Sequence, residues 1–211
     1  MFKDRRDAGK RLGKALKEYK NKRALVLAIP RGGTEVGFQV AKYLNGEFSL
    51  LISRKLPYPT NPEAGFGAIA EDGSIFISKD AAKFLSKKEI EEIKKEQIKE
   101  IKRRIEVLRN GKKLPEISGR IVILIDDGLA MGSTMKASIT LCKKKKAKKI
   151  VVAAPIAGID VFEEFEKIAD KTVILEKPQV FRAVADAYEN WYDVSDEEVI
   201  RIMNEWEKKG I

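Results

Sequence analysis

Histidine is absent from the 211 residues, and cysteine occurs once, as Cys142. Without histidine there is no Ser-His-Asp or Cys-His catalytic arrangement and none of the usual zinc sites. Any metal is expected to be bound through oxygen, most simply as magnesium carried by a phosphorylated substrate. A single cysteine excludes a disulfide framework within the chain and fits a reducing compartment. Cys142 falls in a helical stretch and reads as a small core residue. No apolar run is long enough to span a membrane, and the charged residues 1–11 contain no apolar secretion segment. A cytoplasmic protein with no membrane partner is expected.

Charge, by contrast, is abundant. The 42 basic residues outnumber the 32 acidic ones, for a net charge of +10. Many Lys and Glu with few Asn and Gln resemble a thermophile's surface, and the positive excess attracts polyanions. The densest basic run is Lys143 to Lys146 with Lys148 and Lys149. It ends a predicted helix, where cations suit the macrodipole. No aromatic residues interleave with it to form a stacking platform. A solvated helix end is therefore favoured over nucleic-acid contact, which stays open as a minor alternative. At 44% apolar residues, the chain can bury the core of one compact domain over residues 1–211.

Hydrophobic periodicity lays out alternating helices and strands. Helices are predicted over residues 4–20, 34–44, 86–110, 133–146 and 160–169, the second capped by Thr34. Strands are predicted over 24–29, 48–53, 121–125, 150–155 and 172–175. Residues 54–61, rich in Pro, Lys, Tyr and Asn, read as a mobile loop. Residues 64–77 read as a small hairpin turning at 71–74. Ser195 with Glu198 forms a capping box for a last helix. The fold class is α/β: a parallel central sheet flanked by helices, with a small hood or hairpin region near 54–77 and a C-terminal part over 176–211. Ligands in such sheets bind beyond the strand C-termini.

The most informative stretch is Ile121-Val122-Ile123-Leu124-Ile125-Asp126-Asp127-Gly128-Leu129-Ala130-Met131-Gly132-Ser133-Thr134. A buried strand ends in two carboxylates and runs through a short turn into a helix. Amides at the helix start suit a phosphate, and acids after a strand suit sugar hydroxyls. Read blandly, it is an ordinary parallel strand followed by a turn. Pro30-Arg31-Gly32-Gly33 repeats the strand–turn–helix arrangement, with a guanidinium added; a Gly-containing turn with a solvated Arg is the alternative. Arg54 and Lys55 end the predicted second strand and read either as anion contacts or as a basic strand end in solvent.

The acidic segment resembles the phosphoribosyl-pyrophosphate (PRPP) motif of type I phosphoribosyltransferases. With Pro30-Arg31-Gly32-Gly33, Arg54-Lys55-Leu56, Asn61-Pro62-Glu63, Gly67-Ala68-Ile69-Ala70-Glu71, Trp191-Tyr192 and Ser195-Asp196-Glu197-Glu198-Val199, the resemblance covers nearly the whole chain. It narrows to a subfamily of unassigned acceptor. It implies transfer of a 5-phosphoribosyl group from PRPP to a nitrogen acceptor, a nucleobase or related amine, with release of pyrophosphate. Asp126 and Asp127 would hold the ribose hydroxyls and are candidate magnesium ligands. Gly128, Leu129, Ala130, Met131, Gly132, Ser133 and Thr134 would wrap the 5-phosphate. Arg31, Gly32, Gly33, Arg54 and Lys55 would meet pyrophosphate, with residues 57–63 as a closing loop. Met131 departs from the family, which usually has a threonine there, so weaker phosphate binding is expected. Ala130 replaces an acid found in enzymes for 6-oxopurines, which disfavours hypoxanthine and guanine. Tyr58, Phe66, Phe181, Trp191 and Tyr192 are candidates for a hood over the acceptor or for core. A homodimer is expected by analogy. The alternative function is a PRPP-sensing regulatory or RNA-binding protein without turnover.

Overall fold

The computed structural model describes residues 1–208, with residue 63 described by its backbone alone. Residues 209–211 of the expected C-terminal part, and the side chain of Glu63, lie outside that description.

The chain runs α1 (Arg5–Ala15), β1 (Leu25–Ala28), α2 (Gly33–Leu44), β2 (Glu47–Leu50), β3 (Ser53–Tyr58), β4 (Asn61–Ala70) and β5 (Ile75–Ile77). It continues through α3 (Lys79–Ala82), α4 (Lys87–Arg109), β6 (Ile121–Ile125), α5 (Ser133–Lys144), β7 (Lys149–Ile156), α6 (Ile159–Ile168), β8 (Lys171–Glu176) and α7 (Asp196–Lys208). The central sheet has the order β2-β1-β6-β7-β8, and all its pairings are parallel. A smaller antiparallel sheet joins β3, β4 and β5. The expected α/β class is observed.

The apolar, β-branched strands explain the layering, because a parallel strand is covered on both faces. Val26, Ala28, Ile123, Ile125, Val151 and Ala153 face one cluster, with α1, α2, α4 and α7. Leu25, Leu27, Val122, Leu124, Val152 and Ala154 face the other, with α5 and α6. Side chains alternate across the sheet with a period of two. Cys142 is buried in the second cluster, and burial pushes its thiol up to about 12, which suits a core residue. β1 and β6 pair with Ala28 opposite Ile125, so both strands end at one edge.

Three sequence expectations change. β2 stops at Leu50, and Ser53 opens a different sheet. Residues 54–58 and 61 are strand, with only residues 59 and 60 forming a turn: Ser53 to Leu56 pair in register with Ala70 to Gly67. The prolines misled because Pro57 sits at a shift in register between β3 and β4, where a missing N–H is tolerated. The closing loop expected over 57–63 is therefore the tip of a hairpin. Thr34 does not cap α2: Gly32 stands at that position and no side chain caps the helix. The Thr34 hydroxyl is buried and unpartnered. The expected hairpin turning at 71–74 is present between β4 and β5. The Ser86–Glu89 and Ser195–Glu198 capping pairs hold the starts of α4 and α7.

One buried ion pair fastens the small sheet to the large one. Arg109, at the end of α4, donates from Nη1 to Glu71 Oε1 at 2.9 Å and to the Leu50 carbonyl at 2.8 Å. Its Nε donates to the Lys112 carbonyl at 2.7 Å. Glu71 Oε1 also accepts the Ile52 N–H at 3.0 Å. One guanidinium thus closes the corner where the chain leaves β2, using its planar fork. Replacing Arg109 strands a buried carboxylate. Arg109→Met is expected to lose about 3–5 kcal/mol of stability, measurable by urea unfolding; a loss below about 1 kcal/mol would show that the corner holds without the pair.

Candidate functional site

The two loops that leave the flush ends of β1 and β6 lie side by side. After β6, Asp126 and the turn Gly128 to Thr134 line a cavity of about 240 Å³, closed on the far side by Lys55 and Gly65. The turn is pinned to the neighbouring strand by Leu129 N–H, which donates to the Ile156 carbonyl at 2.9 Å. Gly132 has φ +65°, a left-handed conformation that favours glycine, and an added Cβ would lie 2.5 Å from the Phe165 ring.

Helix α5 then starts with no side-chain cap and no acid in its first turn. By contrast, α1 and α4 each carry a side-chain cap and a first-turn acid. The first N–H groups of a helix have no partner within it. At α5 the residues that carry them, from Ser133 on, lie at the cavity, at the positive end of the macrodipole. Met131 is 63% exposed at the rim and contributes no hydroxyl. Ser133 and Thr134 line the wall.

A second cavity, of about 390 Å³, opens beside the first. Arg5, Arg31, Gly32, Arg54, Arg104, Asp127 and Asp193 line it, with Trp191 at one side. Four guanidiniums against two carboxylates make it cationic. Helix α4 supports two of them. Gln97 Oε1 accepts from Arg54 Nε at 3.2 Å, and Glu100 Oε1 accepts from Arg104 Nε at 2.8 Å. Burial, and then the charge of Arg104, disfavour the protonated form of Arg54. An anion entering here would relieve that repulsion. Arg31 lies 3.6 Å from Asp196 at the start of α7. The Pro30–Arg31 peptide is cis.

The structure divides the expected residues between these two spaces. Asp126 and Lys55 face the first, with all of the turn from Gly128 to Thr134. Asp127, Arg31, Arg54 and Gly32 face the second. Neighbours Arg54 and Lys55 diverge because successive strand residues point to opposite faces. Gly32 lets the carboxylate approach: a Cβ there would fall 2.0 Å from Asp127 Oδ2. Gly33 lines neither space, and its N–H is bonded to the Ile29 carbonyl at 3.1 Å.

The adjacent acids differ in environment. Burial first, then the charge of Asp127, raise the Asp126 carboxyl well above the usual aspartate range. Asp127 is buried, and its Oδ2 accepts from Arg5 Nε at 2.7 Å. Tyr188 donates its hydroxyl to the Asp127 carbonyl at 2.6 Å, and burial with nearby Asp127 keeps that phenol protonated.

Arg5, Gln97, Arg104, Tyr188 and Asp193 escaped the sequence reading. A signal existed for three of them. Arg5 shares a helical stripe with Ala8 and Leu12, and all three are buried. Gln97 and Arg104 interrupt the buried stripe Ile93, Ile101 and Leu108. A polar residue on an apolar stripe needs a partner. For Tyr188 and Asp193, in irregular chain, no periodic pattern was available.

A family model described as the phosphoribosyl transferase domain matches residues 5–189. The chain belongs to the phosphoribosyltransferase family. Two curated Mycobacterium tuberculosis proteins, from two strains and provisionally named phosphoribosyl transferases, are 37% identical over 206 residues. The match covers 97% of this chain and 46% of each relative, so the chain spans about half their length. The crystal structure of TT1426 from Thermus thermophilus is 34% identical, with a TM-score of 0.82, covering 97% of this chain and 98% of that one. AQ2163 from Aquifex aeolicus shares the fold at 17% identity and a TM-score of 0.50, over 81% of this chain and 72% of its own. Among the described residues no helix is long and apolar enough to cross a membrane.

The raised acid at the heart of this phosphoribosyltransferase fold has a thermodynamic signature. An acid whose folded pKa exceeds its unfolded one stabilises the protein most while protonated, and that advantage is lost as pH rises through the folded value. Asp126→Asn keeps the oxygen that accepts from Asp127 N–H at 2.9 Å and removes the ionisable group. The ligand-free variant is expected to melt higher than the wild type at pH 7, with the gap closing towards about pH 4, the unfolded aspartate value. Melting curves across that range check it; equal melting temperatures at pH 7 would place Asp126 in water.

Proposed function

We propose that the protein binds PRPP and moves its 5-phosphoribosyl group to a nitrogen acceptor, with release of pyrophosphate. The observation carrying this reading is the amide-lined turn at uncapped α5, with Asp126 on the same cavity wall. A phosphomonoester fits the free N–H groups of that turn. A pentose attached to it reaches back over the acids at the end of β6. The diphosphate on its anomeric carbon is then directed to the guanidiniums of Arg31 and Arg54.

In the proposed step the bond between the anomeric carbon and the pyrophosphate oxygen breaks. The acceptor nitrogen forms its bond to that carbon and loses a proton. Positive charge develops on the sugar ring and negative charge on the leaving group. Arg31 and Arg54 hold the leaving group and oppose its charge; Asp126 and Asp127 orient the ring through its hydroxyls. No covalent nucleophile is required, consistent with the missing histidine.

Among the described residues no group of three His, Cys, Asp or Glu could cage a metal. Two adjacent carboxylates do fit magnesium that arrives on a diphosphate, since that ion commonly takes one or two protein carboxylates beside substrate oxygens. When bound it would neutralise charge on the leaving group. Asp126 and Asp127 are the residues that would meet it.

The acceptor is expected to lie outside the 6-oxopurines, because exposed Ala130 offers no acid to a purine ring. Adenine, uracil, orotate and simple amines form the test panel. With magnesium and PRPP, at least one is expected to give pyrophosphate release. Gly132→Ala, which puts a methyl group against Phe165 in a left-handed backbone, is expected to weaken PRPP binding about tenfold or more. Calorimetry on the wild type and this variant checks the binding. Wild-type protein that fails to bind PRPP in the presence of magnesium would defeat the reading.

A further inference from the structure

Arg5 opens helix α1, and its contacts lead to the acid pair. The residue is 3% exposed. Its Nε holds Asp127 Oδ2 and its Nη1 donates to the Tyr192 carbonyl at 2.9 Å. The guanidinium carbon lies 4.0 Å from the centre of the Trp191 ring, 5.3 Å from that of Tyr192 and 5.9 Å from that of Tyr188. A flat cation boxed by aromatic faces is held in one orientation. Tyr188 meanwhile fixes the Asp127 carbonyl, and Asp126 accepts the Asp127 N–H. The carboxylate also packs closely against Gly32, where a Cβ would fall 2.0 Å from Oδ2. Asp127 is therefore set from several directions. Arg5 takes Oδ2, and Oδ1 is the oxygen that can turn to a sugar hydroxyl.

A brace serving only the fold could sit anywhere along α1. This one lines the cationic cavity itself, beside Arg31, Gly32 and Arg54. It also joins segments far apart in sequence, α1 and residues 188–192, at the carboxylate that would receive the ribose.

We propose that Arg5 is a positioning residue: boxed by Tyr188, Trp191 and Tyr192, it holds Asp127 in the orientation that receives a ribose hydroxyl, so sugar binding depends on residues 188–192 being docked against α1. The proposal rests on the phosphoribosyl reading above and assigns part of the C-terminal segment to the sugar site.

The test compares ribose 5-phosphate with methyl phosphate, which offers the same phosphomonoester without hydroxyls. Affinities are measured by NMR titration for the wild type, Arg5→Gln, Arg5→Lys and Trp191→Leu. Arg5→Gln is expected to weaken ribose 5-phosphate about tenfold, the scale of one charge-assisted hydrogen bond, and methyl phosphate less than about twofold. Arg5→Lys restores the charge without the fork and recovers part of the loss. Trp191→Leu leaves both charges in place and is expected to weaken ribose 5-phosphate selectively by about threefold. If the glutamine variant does not fold, Trp191→Leu and Arg5→Lys carry the test. Equal losses for the two ligands, or unchanged affinity for ribose 5-phosphate in the folded variants, overturn the proposal. Wild-type protein that binds methyl phosphate and rejects ribose 5-phosphate overturns the phosphoribosyl reading, and the positioning role with it.

Discussion

The parallel pairing of β1 with β6 is the constraint on which the site depends. Ala28 stands opposite Ile125, so both chains leave the sheet at the same height. Each runs through a glycine-containing turn into a helix without a side-chain cap. The two loops therefore lie next to each other, with the acids that follow β6 facing the cavities they form. Slipping either strand by one residue would exchange the two buried faces of that strand, so the two packed cores fix the alignment as firmly as the hydrogen bonds do.

Charge is distributed unevenly around that edge. The cavity under α5 contains one lysine and one half-buried acid, and it relies on backbone dipoles. The neighbouring cavity relies on guanidiniums held by α1, β3 and α4. Gathering like charges in one cavity is unfavourable for the empty protein and favourable once a polyanion enters. The carboxylates differ in the same setting: Asp127 is paired with Arg5, and burial with the neighbouring Asp127 charge makes Asp126 hold its proton more tightly.

Much of this was legible because its signals are local. Residues 121–134 display strand, acids, turn and helix start in consecutive order, and they fold that way. The parallel class followed from strands alternating with helices. The failures have physical causes. Pro57 and neighbouring polar residues looked like loop, yet antiparallel pairing with β4 absorbs the proline at a bulge. Thr34 looked like a cap, yet the bend at Pro30–Gly33 starts the helix earlier, with Gly32 at the cap position. Arg5, Gln97 and Arg104 face inward on helical stripes, a pattern open to inspection; the partners they meet there are set by tertiary contacts alone.

The most direct measurement is a crystal structure with ribose 5-phosphate bound. The account predicts the phosphate against the amides of Met131 to Thr134, with the ribose hydroxyls facing the carboxylates of Asp126 and Asp127 and Arg5 still joined to Asp127. A phosphate seated among Arg31, Arg54 and Arg104, with the α5 turn empty and both aspartates away from the sugar, would contradict it.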